Sequence, residues 1–422
     1  MTDSPADFRG LSLTPFRAVR FVATDTESGL ALSPPYDVIS PADRDALIGG
    51  CPTNVVRLIL PEQAEAALGD GDPYRGAQLL LDSWLADAVL AVDDAEALFV
   101  YEMSAADGSR TRGLLGAVEL RDPADGVILP HENTMAGPVS DRLALMTATE
   151  ANLEPIYLVY DGGGAASDLV ASVSELPPTT QAHTPDGITH RLWAITDSAA
   201  HQGVADDLAG RRALIADGHH RYATYLKLQA NHDGRPGPWD RGLTLLVDTS
   251  SYGPQVHPIH RVVALGWSEI LDRTSQAAKV GEPIPLDDVD RALAETPGFA
   301  VALARGDRAV IVSDLSSEAI EAGLGADADS SLGRLDITIL HRVLVEQVWK
   351  LVDDVQNVGY AHDVAEALLA AENGDRTAVL VRATPVKAVA EVAAAGQRMP
   401  RKSTLFTPKP ASGVVIRRFA DQ

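Results

Sequence analysis

The run Ala213–Gln229, ALIADGHHRYATYLKLQ, places an apolar strand, a glycine and a helix start in immediate succession, the junction from which α/β folds are assembled. Gly218 has access to backbone angles closed to other residues, so the turn is tight and the first N–H groups of the helix point outward. Asp217 is expected to cap the helix, and His219, His220 and Arg221 fill its first turn. A guanidinium beside unpaired N–H groups suits bidentate recognition of a phosphate oxygen pair. Asp-Gly junctions are common and a capped helix needs no ligand. The adjacent histidines set this one apart, because they titrate near neutral pH at a helix end whose dipole disfavours their cationic form.

The surrounding chain reads as a folded globular protein. Its 422 residues and 45% hydrophobic content suffice for real cores and for about two to three domains. The 35 basic residues against 59 acidic ones give a net charge of −24, which repels nucleic-acid phosphates and anionic membrane surfaces. No nucleic-acid or membrane partner is therefore expected. A small-molecule substrate is, and a homo-oligomer stays open. The single cysteine, Cys51, allows no internal disulfide, and MTDSPADFRG has neither the basic start nor the apolar stretch of an export signal. The cytoplasm is the expected compartment. No run approaches the roughly 20 apolar residues that span a bilayer.

Elements alternate along the chain. Phe16 to Val22 reads as a strand ending before the loop TDTESG, and Pro34-Pro35 forces extended backbone between Ser33 and Ile39. NVVRLIL (Asn54–Leu60) reads as a buried strand, YRGAQLLLDSWLADAV as a helix, and Glu96–Met103 with Arg112–Leu120 as a hairpin. A strand, a proline-bounded polar loop, a helix and a second strand follow between Val127 and Tyr160. His190–Asp197 is a further strand whose Asp197 caps the next helix, and GLTLLVD is another. The composition shifts near Trp267, so domains are expected at 1–265 and 266–422. The second alternates helices such as ITILHRVLVEQVW with strands such as RTAVLVRA.

Four polar constellations could carry chemistry. His131, Glu132, Asn133 and Thr134 lie between Pro130 and Gly137, and a carboxylate beside a histidine can act as general base or hold a metal. Asp141 and Arg142 follow at a helix start, where they could cap it or grip an anion. Tyr36 and Asp37 follow the rigid Pro-Pro, which would hold a base or a magnesium ligand at low entropic cost; an ordinary turn explains them almost as well. Arg398, Arg401, Lys402 and Lys409, with Ser403 and Thr404, make a local basic cluster that is either a second anion site or a plain surface loop. His257 and His260, taken with His219 and His220, lack the spacing of a zinc signature.

The strings PFRAVRF, SPPYDVI, ILPHENTMAGPVSDRLALM, ANLEPIYLVY, IADGHHRYATYL, HPIHRVV and MPRKSTLFTPKP resemble, in order and over nearly the whole chain, the signatures of the bacterial and archaeal family of domain of unknown function 1015. The order of a proline-rich early strand, a strand such as LEPIYLVY and a Gly-basic-Arg turn opening a helix is also similar to the ParB/sulfiredoxin-like superfamily, whose matching turn binds nucleotide phosphates. That superfamily includes free serine kinases. The resemblance implies an α/β (α+β) fold with a ParB/sulfiredoxin-like core carrying a large insertion, plus a smaller α/β C-terminal region. It also implies a small-molecule kinase using ATP, ADP or pyrophosphate with Mg²⁺ to phosphorylate a hydroxyl metabolite, most simply free L-serine.

On that reading Asp217, Gly218, His219, His220 and Arg221 hold the donor, and the last three also neutralise charge during transfer. Glu132 accepts the hydroxyl proton. Tyr36, Asp37, His131, Asn133 and Arg142 face the substrate, and Asp37 or Asp217 holds the metal. The alternatives are a ParB-like nucleotide-binding regulator and, last, a metal-dependent hydrolase built on the histidines.

Overall fold

In a computed structural model of the chain, residues 8–22, 29–372 and 375–422 are described; of the loop expected at TDTESG only Gly29 falls among them. They gather into two units. The first comprises the chain up to Pro130, Thr134–Pro254 and Pro408–Gln422, the second His131–Asn133 and Gln255–Thr407. Composition marks one cut near 265, whereas the units interleave, with three residues of the polar loop in the second and the tail back in the first.

The first unit is built on a nine-stranded mixed sheet. Its strands are β1 (Leu13–Thr14), β2 (Leu98–Ser104), β3 (Arg110–Glu119), β4 (Ile128–Leu129), β5 (Ile156–Tyr160), β6 (Thr180–His183), β7 (Thr189–Ile195), β8 (Ala213–Asp217) and β9 (Arg241–Asp248). The spatial order is β4-β8-β5-β9-β3-β2-β7-β6, with β1 on β3. β8 runs parallel to β4, and β9 parallel to β5; the other pairings are antiparallel. The expected hairpin is β2–β3, paired from Phe99↔Leu115 to Ser104↔Arg110. Both strands are buried almost throughout, which explains their near-continuous apolar sequence.

Asn54–Leu60 is not a strand. Val56–Ile59 forms a short helix, α1. Asn54, fully buried, donates from Nδ2 to the carbonyls of Leu30 and Leu32 at 2.8 and 2.7 Å, while its Oδ1 accepts the Val56 N–H at 2.8 Å. That side chain satisfies the first turn, and this outweighs the strand preference of Val and Ile. Val55, Leu58 and Ile59 then pack with Ala77, Leu80, Leu81 and Trp84 on one face of α2 (Pro73–Ala86). α2 begins at Pro73 behind Asp72, whose carboxylate accepts the Tyr74 N–H at 2.9 Å.

Two further helices frame the site, α3 (Ala136–Thr149) and α4 (His219–Ala230). α4 lies close on the sheet because Gly242 has no side chain: a Cβ there would come within 2.3 Å of the Tyr225 ring. The Tyr225 hydroxyl donates to Glu154 O at 3.0 Å, and Thr224 Oγ1 donates to Val139 O of α3 at 3.3 Å.

The second unit has its own seven-stranded sheet, of β10 (His260–Val263), β11 (Lys279–Val280), β12 (Ile284–Pro285), β13 (Val301–Arg305), β14 (Arg308–Ser313), β15 (Val358–Ala361) and β16 (Thr377–Val381). Its order is β11-β14-β13-β16-β10-β15, with β12 on β14. ITILHRVLVEQVW is helical, but only Asp336–Ile339 is α; Leu340–Val348 has the wider π turn. Among the described residues no helix is long and apolar enough to cross a membrane.

Candidate functional site

The strand-turn-helix junction lies in the first unit. β8 carries an irregularity just before the turn: Ile215 pairs with Leu158 and Asp217 with the adjacent Tyr157, so Ala216 is an extra residue. Such a bulge re-aims the side chain that follows it. Gly218 then takes φ +89°, in the left-handed region, and stands immediately before α4. Asp217 is therefore not the helix cap. Its carboxylate is used elsewhere, with Oδ2 2.5 Å from Arg221 Nη2 and Oδ1 2.7 Å from Lys409 Nζ.

Arg221 is buried and also donates through Nη1 to the Pro155 carbonyl. Among the described residues its Nε has no hydrogen-bond partner, and it lies 3.2 Å from where a Cβ on Gly218 would sit. Burial opposes its charge, but Glu154, Asp217 and Asp37 outweigh burial and hold its pKa above the ordinary value.

Tyr36 and Asp37 come to the same place. The chain is extended through Pro35 (φ −60°, ψ 150°) and then closes a single 3₁₀ turn at Tyr36–Val38. Asp37 Oδ2 accepts from Lys409 Nζ at 3.1 Å. Burial raises the Asp37 pKa, yet the Lys409 ammonium and the Arg221 guanidinium outweigh it, so the group is held below its usual value. Burial pushes Tyr36 up to about 12. Its ring lies 4.2 Å from the Arg142 guanidinium, a cation–π contact.

Arg142 is in α3 but not free to grip an anion alone. It donates to Asp141 Oδ2 at 2.8 Å and to Ile59 O at 2.5 Å. Two participants were not singled out from the sequence. Glu154 is buried, accepts the Tyr36 N–H and the Ser412 hydroxyl at 3.0 Å each, and sits 3.9 Å from Arg142. Lys409 was noted only as one of a basic cluster. The signal for Glu154 is a lone carboxylate inside the apolar string ANLEPIYLVY; for Lys409 it is the Pro-Lys-Pro that stiffens its backbone.

His220 accepts the Met135 N–H on Nε2 at 3.0 Å, and burial lowers its pKa. Accepting that N–H occupies Nε2 and ties α4 to the residue before α3, and burial works against the positive charge expected of His220 from the sequence. His219 is buried at the same helix start.

His131, Glu132 and Asn133 belong to the second unit. His131 Nε2 is 3.0 Å from Thr404 Oγ1, and its carbonyl accepts the Met399 N–H at 2.9 Å. Glu132 is one of the charges acting on Arg261 and Tyr360. Arg261, on β10, is fully buried: Nε donates to His341 Nε2 at 2.9 Å, Nη1 to Ile259 O at 2.5 Å and Nη2 to Arg401 O at 3.2 Å. The other ring nitrogen of His341 meets Asp353 Oδ2 at 2.9 Å.

The family described as "Protein of unknown function (DUF1015)" matches residues 13–338. The chain belongs to that family. No curated protein matches the DUF1015 chain. Among solved structures it is similar to a conserved hypothetical protein from Pyrococcus furiosus (16% identity, 70% of this chain and 93% of that one, TM-score 0.34). It is similar as well to a free serine kinase variant in complex with ADP (16%, 66% and 84%, 0.35). SbnI with a C-terminal truncation from Staphylococcus aureus is a third (11%, 71% and 85%, 0.36).

Within the DUF1015 chain the two expected Mg²⁺ ligands, Asp37 or Asp217, have an ammonium between their carboxylates. Both oxygens of Asp217 and one of Asp37 are already engaged by Arg221 or Lys409. Magnesium needs near-octahedral oxygen ligation at about 2.1 Å. The residues present fit a lysine rather than a divalent ion. The histidines do not assemble a metal centre either. His219 and His220 lie in the first unit and His257 and His260 in the second, and among the described residues no group of three or more His, Cys, Asp or Glu could hold a metal.

Proposed function

We propose that the first unit is a phosphotransferase that binds the phosphates of a nucleotide, or pyrophosphate, at Asp217–Arg221 and passes a phosphoryl group to a hydroxyl metabolite, free L-serine in the simplest case. One observation carries this reading: two cations, Arg221 and Lys409, converge on Asp217 at the first turn of a helix opened by a left-handed glycine. Backbone N–H groups, a helix dipole and two fixed positive charges together favour a polyanion.

Phosphoryl transfer is mostly positioning and charge stabilisation. The acceptor oxygen attacks the terminal phosphorus, the bond to the bridging oxygen of the donor breaks, and the shortened donor leaves. The acceptor's proton goes to a carboxylate, on this reading Asp37, whose side chain is partly exposed and whose pKa the Lys409 ammonium and the Arg221 guanidinium hold below its usual value. Arg221 and Lys409 oppose charge on the donor oxygens, where a preorganised cation costs no reorganisation during the reaction. Arg142 and Tyr36 stack beside Asp37 and shape the acceptor side.

Phosphorus NMR of the protein with ATP, ADP or pyrophosphate, each with and without L-serine, tests the reading. A phosphoserine signal is expected, with turnover lost and nucleotide binding kept in Asp37→Asn. Loss of turnover in Glu132→Gln instead would give the proton-accepting role to that residue. Nucleotide bound with no donor consumed, for serine or a panel of hydroxylated metabolites, would favour a nucleotide-binding regulator.

A further inference from the structure

Lys409 is delivered to its position by a well-anchored extended segment of the first unit. Ser412 pairs with Ser33, each N–H reaching the other's carbonyl, at 3.3 and 2.8 Å. The Ala411 N–H donates to the Tyr101 hydroxyl at 3.2 Å, and the Ser412 hydroxyl donates to Glu154. Pro408 and Pro410 flank the lysine with their own φ locked, and Pro410 biases the lysine before it towards extended backbone. The tail thus runs beside the Pro-Pro segment that carries Asp37, and the Lys409 side chain ends between Asp37 and Asp217. Lys409 is only 16% exposed. Burial lowers its pKa, but the two carboxylates outweigh burial and keep it charged.

We propose that Asp37 and Asp217 form a clamp for the Lys409 ammonium and not a divalent-cation site, so that the protein's own lysine provides the cation at the Gly218 turn and any metal arrives only on the phosphates of the donor. The contacts support it. Lys409 contacts both Asp37 and Asp217, and Arg221 takes the other oxygen of Asp217, so a dication placed between these two carboxylates would have to displace the ammonium and would still meet the Arg221 guanidinium. Removing Lys409 leaves two carboxylates facing one guanidinium, which is a cation-binding arrangement.

The idea deepens the donor-site reading and rests on it for the role of the lysine, but its decisive arm uses no nucleotide. Mn²⁺ alone is titrated into the full chain and followed by water-proton relaxation. Wild type and Lys409→Arg are expected to show only weak binding that Asp37→Asn leaves unchanged. Lys409→Met is expected to bind Mn²⁺ at least about tenfold more tightly, the scale of one charge-assisted contact, and Lys409→Met/Asp37→Asn to lose that gain. Tight Mn²⁺ binding by wild type that falls in Asp37→Asn overturns the proposal. So does a folded Lys409→Met that gains nothing. Should Lys409→Met not fold, the comparison of wild type with Asp37→Asn decides alone. Failure of the donor-site reading shows separately, as absence of ATP, ADP or pyrophosphate binding to wild type.

Discussion

Arg221 and Arg261 are both buried, one in each unit, and their surroundings are opposite in kind. Around Arg221 the chain places Asp217 in direct contact and Glu154 and Asp37 close enough to act on it, and these outweigh burial to raise its pKa. Around Arg261 the contacting acceptors are an imidazole nitrogen and two carbonyls, and burial outweighs the pull of Tyr360, Asp353 and Glu132 to push the pKa down to about 10. The first arginine is half of a compensated charge network, of the sort that can exchange an internal anion for an external one. The second is a strut whose donors satisfy neutral acceptors. A buried arginine is thus no sign of an anion site until its neighbours are named.

Removing each guanidinium should separate the two cases. Arg221→Met takes the buried guanidinium from Asp217, which keeps only Lys409, and from the neighbourhood of Glu154, which keeps only Arg142; breaking such a buried pair costs about 3–5 kcal/mol, and hydrogen exchange of α4 should report a loss of that order. Arg261→Met leaves an imidazole and two carbonyls without a donor, which costs about 1–3 kcal/mol, read from exchange of Asp336–Val348. Equal losses in the two units would erase the distinction drawn here.

Much of this was legible in the sequence, and the omissions have physical causes. The β2–β3 hairpin, α2, and the β8-Gly218-α4 junction follow from periodicity and turn chemistry, which are local. α1 was misread because its β-branched residues fit a strand and only Asn54, bonded to residues more than 20 positions away, decides otherwise. The bulge at Ala216 leaves no trace in composition, yet it frees Asp217 from capping and sends it to Arg221 and Lys409. The π turns of Leu340–Val348 differ from α turns by a fraction of a residue, too little for apolar spacing to reveal. The tail's return to the first unit is a long-range pairing, Ser33 with Ser412, and no local rule could locate Lys409 from its own neighbours.

The smallest expected effect sharpens the neutral character of the Arg261 cluster. Asp353 is about a third exposed and touches His341 on the side away from Arg261, so Asp353→Asn should cost no more than about 1 kcal/mol at pH 8. Burial lowers the His341 pKa below 6.5, so the folded unit holds fewer protons on that ring than the unfolded chain. The stability tied to it is therefore complete above pH 6.5 and is lost as pH falls below that value. In wild type a protonated His341 still has the Asp353 carboxylate, itself kept ionised by the histidine. In Asp353→Asn the cation would face Arg261 with no counter-charge at its other nitrogen. The deficit of the variant should accordingly widen between pH 7 and pH 5, measured by exchange of Asp336–Val348. Parallel curves over that range would mean that His341 does not titrate within the folded unit, and that the strut around Arg261 is indifferent to the charge beyond it.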